Sequence, residues 1–356
     1  MKKLSIAAFI LSVLFNLSCS NAKNGKEKNS VAQKITFIEN TGNNTIEVFA
    51  DGKPFTTFRW PDNICKPVLY PVFAASGTEV TRGFPLQPKT GERADHPHQI
   101  GVWLTYGNVN GTDFWGNGSQ GLGTRNSNGG VIKHVKIEKT EEGQGRGVLV
   151  SEESWIDSSG VELLKEITEY HFIATGTIRI IDRITTLTAV EKEVVLADTK
   201  EGMFAIRVAR QLELPSKGQI EMVNTDGTVS KLKDTLNIGI TGNYTSSEGI
   251  SGEAVWGTRA RWMKLNGKIG DESISVVICD HTKNPNYPTY WHARGYGLFS
   301  ANPLGVRDFT KGKENLNFTI AAGQSATFRY RVIIHSGSEF ADAAIEKYYN
   351  EFESKF

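Results

Sequence analysis

The sequence predicts an all-β protein, a large antiparallel β-sandwich closed by a C-terminal helix, and three observations predict it. Apolar and polar residues alternate with period two through most of the chain, turn signals punctuate the alternating runs, and a single helical stripe ends the sequence. There is no internal repeat and no clean linker between the halves, so two large sheets in one domain account for the length better than two modules.

The first segment stands outside that fold. Met1-Lys2-Lys3 is a positive start, and Leu4 to Leu17 is an apolar run too short for a stable bilayer span, so residues 1–19 read as an export signal. Ser18-Cys19-Ser20 offers either a signal-peptidase site or a cysteine for lipid attachment. Residues 20–33 are polar and rich in Lys and Asn, which reads as a flexible tether, and 34–356 is the expected domain. The expected location is the periplasm or cell envelope, with a lipid anchor at Cys19 as the one candidate membrane contact.

Inside the domain, Val131 to Lys139, Gly147 to Asp157 and Thr177 to Thr188 read as strands, and Ser273 to Cys279 as a strand buried on both faces. Phe328, Tyr330, Val332 and Ile334 share one face of a further strand, against Arg329, Arg331, Ile333 and His335 on the other. Asp51-Gly52, Asn224-Thr225-Asp226-Gly227 and Asn266-Gly267 are turn signals. At the end, Ser338 is a candidate N-cap for a helix whose stripe is Phe340, Ala341, Ala344, Ile345, Tyr348, Tyr349 and Phe352. The segment Gly107 to Gly130 is a long loop with eight glycines, and a loop of that length in a compact domain is usually functional or disordered. Phe114 and Trp115 within it argue against disorder.

Composition narrows the function classes. Lys and Arg number 40 against 39 Asp and Glu, and no basic block occurs, so nucleic acid is not an expected partner. Cys65 and Cys279 are the cysteines after Cys19, and one disulfide or two free thiols would fit them equally.

Chemistry concentrates in three places. In Asp95-His96-Pro97-His98, an extended backbone would project both imidazoles to one side, with Asp95 available to orient a ring nitrogen. The second place runs from Asp280-His281 through Tyr290-Trp291-His292-Ala293-Arg294-Gly295-Tyr296 to Asn302, where aromatic faces can cover the C–H face of a sugar while Arg, Asn and His fix its hydroxyls. The third is Lys200-Glu201-Gly202-Met203, with Glu201 either an exposed turn residue or a carboxylate for general base work. Arg207 and Arg210 follow it, as counter-charges for an acidic substrate or as surface ion pairs. His134, His171 and His335 lie inside alternating runs and read as structural.

At Asp95-His96-Pro97-His98, Gly101-Val102-Trp103, Glu201-Gly202-Met203, Asp280-His281 and Tyr290 to Asn302, the chain resembles the PmoA-like family of exported bacterial proteins. The methane-oxidation activity in that label conflicts with the absence of a membrane span after the signal. The family in turn resembles the galactose-mutarotase-type β-supersandwich of aldose epimerases, polysaccharide lyases and glycoside hydrolases. That resemblance implies a histidine acid on the ring oxygen, His96 or His98, and a glutamate base, Glu201.

The leading expectation is therefore an exported carbohydrate-active enzyme whose partner is a small sugar or glycoside. His96, His98, Glu201, His281 and His292 are its candidate catalytic groups. Asp95, Trp103, Tyr106, Trp115, Trp291, Arg294 and Asn302 are its candidate substrate contacts. Two alternatives use the same residues: a metal-dependent enzyme holding a divalent ion through His96, His98 and Glu201, and a non-catalytic glycan-binding lipoprotein.

Overall fold

The structure, a computed structural model, describes Met1, residues 31–233 and residues 237–356. The expected signal over 1–19, the Cys19 anchor and the tether up to residue 30 lie outside the described residues. Residues Val31–Phe356 form one compact unit, and its chain is already in the sheet at Ala32, which bridges Thr175.

Among the described residues the strands form two large sheets and two small ones. A nine-stranded sheet runs in the order Tyr290–Trp291, Leu298–Asn302, Gly202–Arg207, Val102–Tyr106, Val68–Val72, Lys53–Arg59, Thr45–Ala50, Lys34–Asn40 and Gly143–Gln144. An eight-stranded sheet runs Asn243–Ser246, Trp262–Ile269, Glu272–Cys279, Ser325–Ser336, Ile178–Ala189, Glu162–Thr175, Arg146–Ile156 and Val131–Glu141. Every pairing within them is antiparallel. The all-β sandwich with a C-terminal helix is what the chain builds.

Period two sorts the side chains into three layers. Between the sheets lies one large core, to which Val102, Leu104, Phe204, Ile206, Phe299, Phe328, Tyr330, Val332 and Ile334 contribute. The alternate residues of the eight-stranded sheet, Ile180, Val277, Cys279 and Ile333, meet Phe340, Ile345, Tyr349 and Phe352 on the sheet's outer side. That contact explains why the strand Glu272–Cys279 is buried on both faces toward its end. Arg331, on this same face, is opposite Asp182 in the strand register and donates to its two oxygens at 2.5 and 2.8 Å. The alternate residues of the nine-stranded sheet, Trp103, Ala205 and Leu298, join Tyr70, Ile100 and Trp115 in a third cluster on its own outer side.

Three local expectations need correction. The helix spans Asp342–Lys355 with Ala341 before it, so Ser338 is not its cap. Asn266-Gly267 lies inside the strand Trp262–Ile269 rather than at a turn, because Gly267 passes so close to a neighbouring segment that a Cβ would come within 2.8 Å of Leu212. Arg207 is fully buried rather than in a surface ion pair. The Asp51-Gly52 turn is present, with positive φ at both residues as a tight hairpin requires. Cys65 and Cys279 are free thiols.

Candidate functional site

The outer side of the nine-stranded sheet carries the site, and the turn before the strand Val102–Tyr106 delivers its histidines. The Gln99 N–H donates to the His96 carbonyl at 3.0 Å, which closes a four-residue turn with Pro97 and His98 at its centre. His96 has φ +45°, in the left-handed region. The imidazoles therefore do not converge through an extended backbone; they converge around the turn, with ring centroids 5.7 Å apart. Gly101, at φ +55°, leads into the strand, and a Cβ there would sit 2.1 Å from the Leu69 carbonyl oxygen. Only glycine lets the turn lie against the neighbouring strand.

Two buried arginines hold the turn. Arg82 donates to the Asp95 carboxylate at 2.9 Å and to the carbonyls of Asp95, His96 and Gln99 at 2.7, 3.0 and 3.1 Å. Arg207 donates to the Asp95 carboxylate and to Gln99 Oε1, both at 2.5 Å. Burial opposes a charge on Asp95, but Arg207, the hydrogen bond to His96 and Arg82 together outweigh it and hold the carboxyl far below the usual range. Asp95 Oδ1 lies 3.3 Å from His96 Nδ1. The carboxylate thus fixes that ring and leaves Nε2 as its working nitrogen.

His98 is only 9% exposed, and its Nδ1 has no hydrogen-bond partner among the described residues. Burial, and then the positive charge of Lys66, His96, Arg207 and Arg82, pushes its pKa well below the ordinary histidine value, so the ring is neutral at neutral pH. Lys66 is buried behind it. Its ammonium donates to the His98 carbonyl at 2.6 Å and lies 5.3 Å from the Trp103 ring centroid.

These groups open on a cavity of about 280 Å³ lined by His96, His98, Gln99, Trp115, Glu201 and Tyr296. Tyr296 stacks on His96 with centroids 4.8 Å apart and also covers the Arg207 guanidinium at 4.9 Å. Trp115 comes from the glycine-rich loop, where Asp113 accepts the backbone N–H of Trp115 and of Gly116, each at 2.8 Å. Its indole packs on Trp103 at 5.4 Å, and its Nε1–H is buried with no partner among the described residues. Glu201 stands just before the strand Gly202–Arg207. The Gly107 N–H donates to its carbonyl at 2.7 Å, and a Cβ on Gly107 would press within 2.8 Å of the Glu201 Cβ. The Glu201 carboxylate pairs with Lys200.

Of the residues the sequence singles out, His96, His98, Glu201 and Trp115 therefore line one cavity, with Asp95 and Arg207 supporting it. Trp103 is fully buried behind Trp115, so it backs the wall and offers no stacking face. His292 lies next to the wall, its ring centroid 6.5 Å from that of Trp115. Its Nδ1 accepts the Trp256 indole N–H at 3.2 Å, and burial, followed by Lys200, Arg294 and His96, pushes its pKa down to about 3. Arg294 is exposed and lies over the Trp256 ring.

Four others serve the fold. Trp291 is buried in the core between the sheets, its N–H on the Ala260 carbonyl at 3.1 Å. The Tyr106 hydroxyl accepts the Thr199 N–H at 3.3 Å, and Asn302 donates to the Thr199 carbonyl at 2.9 Å; both tie down the segment before Glu201. His281 is fully buried against the C-terminal helix, its ring edge on Phe352 and its Nδ1 accepting the Lys283 N–H at 3.1 Å. Arg210 is also buried, 3.7 Å from Glu213. Among the described residues no three His, Cys, Asp or Glu side chains come together to hold a metal ion, so His96, His98 and Glu201 share a cavity without forming a ligand set. Sequence reasoning missed Arg82, Lys66 and Gln99, which carry no motif of their own, and passed over Tyr296 within a cluster it had marked.

Residues 45–350 match a family described as a family of unknown function, DUF6807. No curated protein matches the chain. Among solved structures it is similar to the GH36 α-galactosidase AgaB from Geobacillus stearothermophilus, with 8% identity over 85% of this chain and 41% of that one and a TM-score of 0.37. It is similar to the GH36 α-galactosidase AgaA of the same organism, with 11% identity over 86% of this chain and 41% of that one and a TM-score of 0.39. The Slr1438 protein from Synechocystis sp. PCC 6803 is similar at 9% identity, over 86% of this chain and 96% of that one, with a TM-score of 0.33. The chain thus spans 41% of the length of the two α-galactosidases.

Proposed function

The chain belongs to this family of unknown function, DUF6807, and within it we propose an exported enzyme that acts on a small sugar or glycoside by acid–base chemistry. One observation carries the reading. A carboxylate-held imidazole, His96, shares a cavity with a neutral imidazole whose Nδ1 is unused, His98, and with the carboxylate of Glu201.

Each group has a role its surroundings support. His96 Nε2 exchanges a proton with a substrate oxygen, and Asp95, ionised between two arginines, stabilises the imidazolium that forms. Glu201 is the second proton-transfer group. At a hemiacetal, one of the pair removes the anomeric hydroxyl proton while the other protonates the ring oxygen, so the ring C–O bond breaks as the carbonyl forms. His98 and the Trp115 N–H are left to pair with hydroxyls, which both donate and accept. Tyr296, half-buried at the rim, adds an apolar wall beside His96 against which the C–H groups of a sugar can lie.

The test uses the mature protein against reducing monosaccharides, followed by NMR exchange between anomers, and against p-nitrophenyl glycosides, followed by release of p-nitrophenol. Turnover of one class, lost by a factor of about 10²–10⁴ in His96→Ala with an unchanged Tm, is the expected result. Absence of turnover in both classes, or a His96→Ala variant as fast as the parent, overturns the reading.

A further inference from the structure

A second cavity lies beyond His98, and the glycine-rich loop joins it to the first. It measures about 250 Å³, and Trp60, Cys65, Lys66, Arg125, Lys133 and His134 are among its walls. Between the two is a shallow saddle of about 10 Å³, which shares Cys65 and Lys66 with the second cavity and His98 with the first. The loop borders all three. Trp115 and Gly116 wall the first cavity, Asn117 and Leu122 the saddle, and Gly123 and Arg125 the second cavity.

Charge is uneven along this path. In the second cavity Lys66, Arg125 and Lys133 face a single carboxylate, Asp62. Arg125 and Lys133 are exposed, and neither has an ion-pair partner among the described residues. The Lys66 ammonium is buried and meets a carbonyl and an indole ring rather than a carboxylate. Beside these cations stands a fixed aromatic plate. Trp60 is backed by the His134 ring at 4.2 Å, and His134 Nδ1 lies 3.3 Å from the buried carboxyl of Glu153. Unpaired cations next to an anchored indole recognise a sugar ring that carries an anionic group: the ring covers the indole, and the anion meets the cations.

We propose that the three spaces are one groove for an acidic oligosaccharide. The ring acted on occupies the first cavity, the chain crosses the saddle past Lys66, and a distal ring lies on Trp60 with its carboxylate or sulfate on Arg125 and Lys133. The inference rests on the reading of the first cavity as a sugar site and extends its substrate class: the sugar acted on there is one ring of a longer, acidic chain.

Cys65 supplies a reporter that is independent of activity, because its free thiol lines both the saddle and the second cavity. The probes are tetragalacturonate, a sulfated tetrasaccharide, neutral maltotetraose and monomeric galacturonate. Binding is measured by calorimetry at low and high salt, and Cys65 alkylation by iodoacetamide is followed by mass spectrometry. The expected result is that an acidic tetrasaccharide binds the parent protein more tightly than maltotetraose, loses affinity with salt and protects Cys65, whereas the monomer gives no protection. Whichever acidic tetrasaccharide binds more tightly identifies the anion as carboxylate or sulfate. Arg125→Glu with Lys133→Glu should weaken that binding by about tenfold or more and abolish protection, while turnover of small substrates stays unchanged.

Equal affinity for acidic and neutral tetrasaccharides, or a double variant that binds as the parent does, overturns the groove. The two readings fail separately. A charge-dependent groove in a protein for which His96→Ala changes no turnover refutes the enzyme and keeps the groove. Turnover that depends on His96, with a silent double variant, does the reverse.

Discussion

The two outer faces of the sandwich each bury an arginine–carboxylate pair, and they use it differently. Beneath the C-terminal helix, Asp182 takes both oxygens to a single guanidinium, Arg331, and both side chains are fully sealed. Beneath the cavity, Asp95 accepts from two guanidiniums, has that of Arg93 3.9 Å away and keeps 22% of its side chain exposed, with His96 Nδ1 at 3.3 Å. The first pair is joined at its rim by Lys355, 3.8 Å from Asp182, and Glu351, 3.9 Å from Arg331, so two cations balance two carboxylates, and Phe340, Ile345, Tyr349 and Phe352 cover it. The second carries an excess of positive charge, which keeps the carboxylate ionised and lets it orient an imidazole that a ligand can reach. Histidine beside an acid is therefore not a site by itself. His281, 3.7 Å from Glu353, has the same neighbours in kind but is sealed under Phe352.

The largest expected effect separates these two histidines. His96→Ala should lower kcat/KM by about 10²–10⁴-fold with little change in Tm, as loss of a proton-transfer group does. His281→Ala should leave kcat/KM alone and lower Tm. Steady-state kinetics on both variants, with thermal unfolding alongside, checks the contrast, and a His281→Ala enzyme that folds but does not turn over would break it.

The stability of the sealed face comes next. Asp182→Asn removes the buried carboxylate that takes both Arg331 hydrogen bonds and leaves the exposed Glu351, 3.9 Å away, as the nearer counter-charge, a change that costs up to about 3–5 kcal/mol. Urea unfolding should report a loss of that size, while ligand binding in the cavity at temperatures where the variant is folded should match the parent.

The layers of this fold were legible, because period two is a property of neighbouring residues. Phe328, Tyr330, Val332 and Ile334 could be placed on one face from the sequence alone, and they are all in the core. The helix stripe was equally legible, since Ile345, Tyr349 and Phe352 repeat at the helical period. Its start was not: nothing local distinguishes Ser338, which resembles a cap, from the strand-end bend it occupies. The cavity was legible where motifs are dense, at Asp95 to His98 and at Glu201. What holds it was not, because Arg82 carries no motif of its own and Arg207 reaches Asp95 from a strand distant in sequence. The same limit explains why Trp291 and Asn302 looked like ligand contacts. A Trp in a loop-like motif and a Trp in a core have the same letter, and only the register of Tyr290–Trp291 on Leu298–Asn302 separates them.

The pH dependence of stability sharpens the description of Asp95. Its folded-state pKa lies far below the unfolded value of about 3.9. Its contribution is fully present above the unfolded value and is lost as pH falls through the folded one, because the unfolded chain then binds a proton the native state does not. Stability of the parent should decline below about pH 4, and Asp95→Asn should flatten that decline by up to one proton while lowering stability at pH 7. An unaltered slope in Asp95→Asn, measured by denaturant midpoints across the acid range, would mean that the two arginines do not hold this carboxylate ionised.

The smallest effect concerns a single hydrogen bond donor. The Trp115 Nε1–H is buried without a partner in the wall of the cavity, although an unpaired buried donor carries a desolvation cost. Trp115→Phe keeps an aromatic wall and removes the donor. If the N–H serves the ligand, the variant should bind it about two- to tenfold more weakly, the worth of one neutral hydrogen bond, while the free protein becomes no less stable apart from the smaller ring. If the N–H serves only the fold, affinity should stay the same and Tm alone should move. Calorimetry beside thermal unfolding distinguishes the two, and it tests at the level of one atom whether the open face holds a polar group in reserve for a ligand.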